Sequence, residues 1–375
     1  GYIQDKNKSG LVSLSSKLLN EGTNELGATK FAEKLEENAI SLAASNGFET
    51  FVIELSNLKE QSKKGIELLT ALLKSPNYTQ DTLNKLKTMQ TGSLKRKEND
   101  FDYVANNQLK SVLFKGTTLE NSAAGTIESI SKIELKDIEN FISQTVCLEN
   151  LIIVAGGDFE LKEFEKLVKP LLETLNVGKK AQLEEVNFIS KKEEKVLIKD
   201  TQQAYIYFGS SFNINSKDEE NYKAKVASFI LGGSGFGSRL MEEIRVKRGL
   251  AYSAYGSISI NKSHSYFNGY LQTKNETADE AKKLVGEIIE DFVKNGVTND
   301  ELSAAKNFLT GSEPLRSETL SQRLNRAFTL YYRGLEPNYS QKELEKIQNL
   351  ELTDLNNYIK SHNEINNLTF SIVRK

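Results

Sequence analysis

The stretch "IESISKIELKDIENFISQTVCLENLIIV", residues 127–154, decides the fold because a second copy of it lies near the end of the chain. The second copy, residues 344–372, reads "LEKIQNLELTDLNNYIKSHNEINNLTFSI" and aligns with the first without gaps, so that Ile130 meets Ile347. The order of elements also matches upstream of both copies, which makes chance similarity of helical patterns a poor explanation. The sequence therefore predicts two domains of the same fold.

Each copy predicts the same series of elements. A strand, a polar turn and a long amphipathic helix are followed by a turn ending in Thr-x-Asp and a further helix. Two more helices and a closing strand complete the copy, with the closing strands expected at Leu151–Val154 and Leu368–Val373. This alternation indicates the α+β class. We expect two tandem homologous domains, each a mixed or mainly antiparallel β-sheet packed with helices on one face.

Residues 176–195, "NVGKKAQLEEVNFISKKEEK", are polar and rich in charge, as expected of a linker. The first domain is therefore predicted over residues 1–175 and the second over residues 196–375. The chain opens with "GYIQDKNKSG", without an initiator Met or a signal peptide. The compartment is left open, with the bacterial periplasm favoured over the cytoplasm.

Composition excludes several classes of function. Lys and Arg number 49 against 51 Asp and Glu, so no net positive charge attracts nucleic acid or anionic lipid. No apolar run reaches the length of a membrane span. The single Cys147 excludes an internal disulfide and favours a small core residue. Of the two histidines, His264 is expected in an exposed turn and His362 at a helix end.

A second informative stretch is "LGGSGFGSRLMEEIRVKRGLAYSAYG", residues 231–256. Its glycines do not have the spacing of a dinucleotide fingerprint, a phosphate loop or a nucleophile elbow. Small residues before a helix leave backbone N–H groups open to an extended peptide or a carboxylate. The candidate substrate-binding residues are Gly232, Gly233, Ser234, Gly235 and Gly237. Taken alone, such a cluster is explained as well by a plain connection between two helices.

The helix predicted over residues 238–247 ends before Gly249, and the strand "YSAYGSISI" follows. Strand alternation predicts Tyr252 and Ala254 on one face and Ser253 and Tyr255 on the other. Arg245, in the last turn of the helix, is expected beside Tyr252. A guanidinium and a phenol together suit a carbonyl or a developing oxyanion, although such a pair is more often an ordinary surface helix end.

The stretch "GGSGFGSRLMEEIRVKRGLAYSAYG" resembles the second-domain signature of the pitrilysin/insulinase family of inverted zinc metallopeptidases, in particular its processing-peptidase-like members. The resemblance implies that Arg245 and Tyr252 contact the substrate and stabilise the tetrahedral intermediate. It also implies that the glycine-rich loop binds peptide, and that the fold is a tandem pair of α+β domains.

The first domain departs from that family at its zinc motif, H-x-x-E-H. In "GLVSLSSKLLNEGT", residues 10–23, Ser13 and Lys17 stand where the two zinc-binding histidines belong, and Ser16 replaces the general-base Glu. The distal glutamate ligand would fall near Gly92 and Ser93, where there is no carboxylate. Zinc hydrolysis needs three ligands and a base, so we expect no metal in this chain. Two leading strands of the family's first domain are also expected to be missing.

Two hypotheses follow from the resemblance. In the first, the chain is the metal-free subunit of a heterodimeric zinc peptidase and is inactive alone. Its partner would be a related subunit with an intact H-x-x-E-H and the zinc ion, its substrate would be a peptide, and a homodimer stays possible. In the alternative, the chain is a non-catalytic peptide-binding or scaffold protein of the same fold.

Overall fold

The structure is a computed structural model that describes residues 1–375. The chain divides into two compact units, one formed by residues 1–96 and 121–183, and one formed by residues 97–120 and 184–375. Residues 97–120 thus pack with the second unit, although in sequence they lie within the range predicted for the first domain. The domain limits 1–175 and 196–375 stay predictions.

The helices and strands follow one another along the chain, apart from short 3₁₀ and π turns. Up to residue 183 they are α1 (Leu11–Leu19), α2 (Gly27–Glu37), β1 (Ser41–Asn46), β2 (Phe51–Ser56), α3 (Ser62–Lys74), α4 (Gln80–Lys97), α5 (Phe101–Leu113), α6 (Ile127–Lys132), α7 (Leu135–Thr145) and α8 (Leu161–Leu172). From residue 184 they are β3 (Glu194–Ile198), β4 (Gln203–Ser211), α9 (Asn221–Ser228), α10 (Arg239–Met241), β5 (Ala251–Ile260), β6 (Ser265–Lys274), α11 (Ala278–Asn295), α12 (Asn299–Gly311), α13 (Leu320–Arg333), α14 (Tyr339–Gln348), α15 (Leu352–Ser361) and β7 (Thr369–Arg374).

The repeated stretch forms equivalent helices in both units, α6 and α7 in the first and α14 and α15 in the second. The aligned residues Ile130 and Ile347 are both fully buried, and each belongs to the core of its own unit. At the start of α7, Asp137 accepts a hydrogen bond from the backbone N–H of Glu134 at 2.9 Å, which satisfies a donor at the helix N-terminus. The predicted tandem α+β architecture is confirmed.

The first unit contains a two-stranded antiparallel sheet, in which β1 pairs with β2 from Ser41 opposite Ser56 to Asn46 opposite Phe51. The predicted closing strand at Leu151–Val154 is wrong, because no regular strand forms there. Its counterpart β7 pairs with two neighbours, β3 and β4, whereas neither β1 nor β2 pairs with residues 151–154. An apolar run becomes a strand only where another strand supplies its hydrogen bonds.

The second unit contains a five-stranded mixed sheet in the order β3-β7-β4-β6-β5. The β3–β7 pair is parallel and the other pairs are antiparallel. One face buries Ile206, Phe208, Phe267 and Leu271 in a core that also contains apolar residues of α11 and α15. This is the predicted layer of helices on a sheet.

Helix α5 lies on the opposite face of that sheet. The hydroxyl of Ser371 donates a hydrogen bond to the carbonyl of Ala105 at 2.8 Å, and the hydroxyl of Tyr207 donates one to Asp102 at 2.9 Å. A side chain at Gly209 would come within 2.9 Å of Leu113, so glycine allows this close approach. The α5 contacts add a second helical layer to the one predicted.

Candidate functional site

The glycine-rich loop joins α9 to α10 in the second unit. Helix α9 runs into a π-helical turn, Phe229–Gly233, in which the backbone N–H of Ser234 donates to the carbonyl of Phe229 at 3.2 Å. A Cβ at Gly232 would lie 2.5 Å from the backbone nitrogen of Gly256 in β5. Because only glycine permits so close an approach, Gly232 holds the start of the loop against the strand.

The middle of the loop depends on backbone conformation. Gly235 and Gly237 have positive φ angles of 69° and 87°, which residues with a side chain rarely adopt. The hydroxyl of Ser238 donates a hydrogen bond to the carbonyl of Gly235 at 2.7 Å and so closes the turn. The backbone N–H groups of Gly235, Phe236 and Gly237 make no hydrogen bond within the chain. They are available to a ligand.

The helix expected over residues 238–247 is α10 followed directly by a second π-helical turn, Glu242–Val246. Leu240 and Ile244 are both fully buried, as their predicted common face requires. The segment ends at Gly249, which has a positive φ of 62°. Single π turns within helices are frequent at functional sites, and here one lies on each side of the loop.

Arg245 and Tyr252 lie together. The guanidinium carbon of Arg245 is 4.5 Å from the ring centre of Tyr252 and 4.7 Å from that of Phe236. Tyr252 and Phe236 are 81% and 68% exposed, so the cluster faces solvent. Each such contact at an exposed position stabilises by about 0.5–1 kcal/mol. The sequence carries one signal for Phe236, an aromatic residue between two glycines of a loop, but does not reveal its contact with Arg245.

The prediction that Tyr252 and Ala254 share a face is wrong. Ala254 is fully buried, whereas 81% of Tyr252 is exposed. The cause is a β-bulge: Ala251 pairs with Thr273 and Ala254 pairs with Leu271, so two residues of β5 lie opposite one residue of β6. A bulge redirects a side chain, and this one directs the Tyr252 phenol to the solvent side beside Arg245.

The three arginines of this stretch have different partners. Arg239 donates hydrogen bonds to Glu301 at 2.8 Å and to the carbonyl of Gly296 at 2.6 Å. Arg248 donates to Glu243 at 2.6 Å, and hydrogen bonds from Lys247 and Arg248 hold the pKa of Glu243 below its usual value. Arg245 makes no hydrogen bond and no salt bridge, so its five N–H donors are free.

A row of three tyrosines runs across the sheet beside the loop. Tyr270 stacks on Tyr207 of β4 and makes a tilted contact with Tyr255 of β5, with 5.5 Å between ring centres in both pairs. Burial, with smaller effects of Tyr255 and Asp102, raises the pKa of Tyr270, so its hydroxyl stays protonated. The sequence did not reveal this row, because it depends on the pairing register of three strands.

The positions of the family's zinc motif lie on α1 in the first unit. The hydroxyl of Ser16 donates hydrogen bonds to the carbonyl of Ser13 at 3.0 Å and to the side chain of Asn46 at 3.1 Å. Lys17 donates to the side-chain oxygen of Gln90, whose amide nitrogen donates to the carbonyl of Ala124 at 2.9 Å. Gln90 is therefore the α4 side chain that contacts Lys17, whereas the sequence placed the family's distal ligand near Gly92 and Ser93.

These residues do not fit a zinc ion. Zinc in proteins is bound by thiolate, imidazole or carboxylate, whereas this position offers hydroxyls, an amide and an ammonium group that would repel a dication. No group of three or more His, Cys, Asp or Glu side chains in the structure could hold a metal ion. The absence of bound metal in the protein stays a prediction.

The two histidines lie elsewhere. The expectation that His264 is exposed is wrong: only 9% of it is exposed, and its ring packs against Phe114 and Tyr266, each with 5.3 Å between ring centres. The sequence of the turn could not show this, because Phe114 follows α5 and is distant in sequence. His362 lies at the end of α15, as expected, and forms a 2.9 Å contact with Glu364.

Comparisons with known proteins agree with the fold and identify the family. Residues 132–309 match the family described as "Peptidase M16 inactive domain". The chain is 46% identical over 373 residues to a Helicobacter pylori protein named "Non-peptidase homolog YmxG", covering 100% of this chain and 86% of that one.

A solved structure of the "peptidase M16 inactive domain from Pseudomonas fluorescens" superposes with a TM-score of 0.92 and 22% identity, covering 100% of this chain and 90% of that one. The crystal structure of "a protease from Helicobacter pylori" superposes with a TM-score of 0.86 and 18% identity, covering 98% and 90%. At these identities the two structures show the fold alone.

The chain therefore belongs to the M16 family of metallopeptidase-like proteins, the pitrilysin/insulinase family that the sequence resembles, and residues 13–17 lack that family's zinc motif. None of its helices combines the length and the apolar character needed to cross a membrane.

Proposed function

We propose that this chain is the metal-free subunit of a two-chain zinc peptidase. It contributes Arg245, Tyr252 and the glycine-rich loop to a related chain that carries an intact H-x-x-E-H and the zinc ion. The loop residues Gly232, Gly233, Ser234, Gly235 and Gly237 bind the peptide substrate. Alone, the chain does not hydrolyse peptides, because Ser13, Ser16 and Lys17 replace the zinc ligands and the base.

The observation that carries this proposal is the unpaired state of Arg245 beside an exposed phenol. Arg239 and Arg248 bind carboxylates, whereas the donors of Arg245 are free and lie next to Tyr252. A guanidinium and a phenol can both donate hydrogen bonds to the carbonyl oxygen of the peptide bond to be cleaved. Such bonds strengthen as negative charge develops on that oxygen, and the difference accelerates the reaction.

The free N–H groups of Gly235, Phe236 and Gly237 support the substrate-binding role of the loop. Three neighbouring donors can bind the backbone carbonyls of an extended peptide whatever its side chains are. The substrate class that fits is therefore an unfolded peptide segment.

A division of labour between two chains has support from one organism. Helicobacter pylori has both the 46% identical protein named as a non-peptidase homolog and a protease of the same fold. The alternative, a non-catalytic peptide-binding or scaffold protein, agrees equally well with the name of that homolog. Under the alternative, Arg245 and Tyr252 are remnants of the fold without a catalytic effect.

Reconstitution of the two-chain enzyme distinguishes the peptidase-subunit hypothesis from the scaffold hypothesis. The chain, a relative from the same organism with an intact H-x-x-E-H, and their equimolar mixture are each assayed on an unfolded fluorogenic peptide. We expect cleavage by the mixture that greatly exceeds that of either chain and is abolished by a chelator.

Arg245→Ala should remove most of the gain, and the matched control Arg248→Ala should keep it. If the mixture cleaves no faster than the relative alone, the scaffold alternative is correct.

A further inference from the structure

Phe236 is an unusual loop residue. Its side chain is 68% exposed and lies between two glycines whose positive φ angles set the path of the chain. It belongs to neither domain core, and its ring contact is the guanidinium of Arg245 at 4.7 Å. The ring of Phe236 is therefore available to a charged neighbour, and the neighbour that it contacts is the guanidinium of Arg245.

Arg245 needs such placement. It has no hydrogen bond or salt bridge, and two aromatic rings, those of Phe236 and Tyr252, hold its guanidinium. An arginine side chain without contacts samples many rotamers, and that freedom must be lost when a ligand binds. Contact with two rings restricts the guanidinium while leaving its N–H donors free, because a ring face attracts the cation without accepting a conventional hydrogen bond from it.

We infer that Phe236 is a positioning residue, which fixes the guanidinium of Arg245 in the orientation that receives a peptide carbonyl and ties the glycine-rich loop to the end of its helix. That Phe236 fixes Arg245 is inferred from the geometry alone. That this placement serves substrate binding rests on the proposed function. Phe236 thus acts through Arg245, and a ring at position 236 is the required property.

The placement can be measured without any partner. The chain contains no tryptophan, so Phe236→Trp introduces a single fluorophore at the stack. We expect the anisotropy of this tryptophan to fall when Arg245→Ala is added, and to stay unchanged with the control Arg248→Ala. An anisotropy that does not respond to Arg245→Ala would overturn the inference.

The purpose of the placement is measured in the reconstituted pair. Phe236→Ala and Phe236→Leu should each raise KM about fivefold, the effect of losing one exposed cation–π contact, with kcat within about twofold of wild type. Phe236→Tyr, which keeps a ring, should leave KM at the wild-type value.

If the reconstituted pair is active but none of the three changes at Phe236 alters its KM, the positioning role is overturned and the proposed function stands. A wild-type pair without activity would instead contradict the proposed function and the substrate role of Phe236 together.

Discussion

Replacement of Gly232 by alanine tests the packing that holds the glycine-rich loop in place. The new Cβ would lie 2.5 Å from the backbone nitrogen and 2.7 Å from the carbonyl oxygen of Gly256, and 2.8 Å from the Leu240 side chain. The first two neighbours are backbone atoms of β5 and cannot rotate away. The loop must therefore move away from the strand by roughly 1 Å to restore ordinary contact distances.

Overpacking of this kind destabilises by about 1–3 kcal/mol, and we expect a loss in that range for Gly232→Ala. The matched control is Gly286→Ala in the interior of α11, where a Cβ would meet nothing within 4 Å. That change should stabilise by up to about 1 kcal/mol, the difference in helix propensity between alanine and glycine.

Urea unfolding followed by circular dichroism gives both free energies, and hydrogen exchange of β5 amides locates the disturbance. An unfolding free energy of Gly232→Ala within about 0.5 kcal/mol of wild type would refute this account of the loop.

Two other predictions concern the zinc position and the second unit. A site that binds about one zinc ion per chain should result from the triple change Ser13→His, Lys17→His and Gln90→Glu. The control carries Met89→Glu in place of Gln90→Glu and should bind no zinc. If elemental analysis finds equal amounts of zinc in both variants, Gln90 does not face α1. Burial tends to raise the pKa of Glu301, but hydrogen bonds from Arg239 and Thr298 outweigh it and hold that pKa below its usual value. Its contribution to stability is therefore present above the unfolded pKa and is lost as pH falls through the folded pKa. We expect Arg239→Gln to destabilise by about 1.5–3 kcal/mol at pH 7 and the deficit to shrink toward pH 3 in urea titrations, and a deficit independent of pH would contradict this assignment.

The helices and the tandem repeat could be predicted because their signals are local. In both copies apolar residues recur at helical spacing, and the aligned residues Ile130 and Ile347 are buried in their helices. Features that depend on distant partners were missed. Residues 151–154 have the composition of a strand but no strand to pair with, and His264 is buried by Phe114.

The same distinction applies to the candidate site. The motif containing Arg245 and Tyr252 was recognisable, and the two residues do lie together. The β-bulge that exposes Tyr252 could not be recognised in the sequence, because it arises from a change in register between β5 and β6. Gln90 was missed for a similar reason: the rotation of α4 about its axis decides which residue meets Lys17, and packing determines that rotation.

The most direct test of the central claim is the kcat of the reconstituted pair with Tyr252→Phe. This change removes one hydroxyl and keeps the ring that contacts Arg245, so folding, assembly and the placement of the guanidinium should survive. The matched control is Tyr331→Phe, which removes an exposed hydroxyl from α13 outside the cluster.

If the phenol donates a hydrogen bond to the developing oxyanion, Tyr252→Phe lowers kcat by about 10²–10³ while Tyr331→Phe leaves it unchanged. A kcat for Tyr252→Phe within about threefold of wild type, in a pair that sediments as wild type does, would contradict the claim that this chain takes part in catalysis.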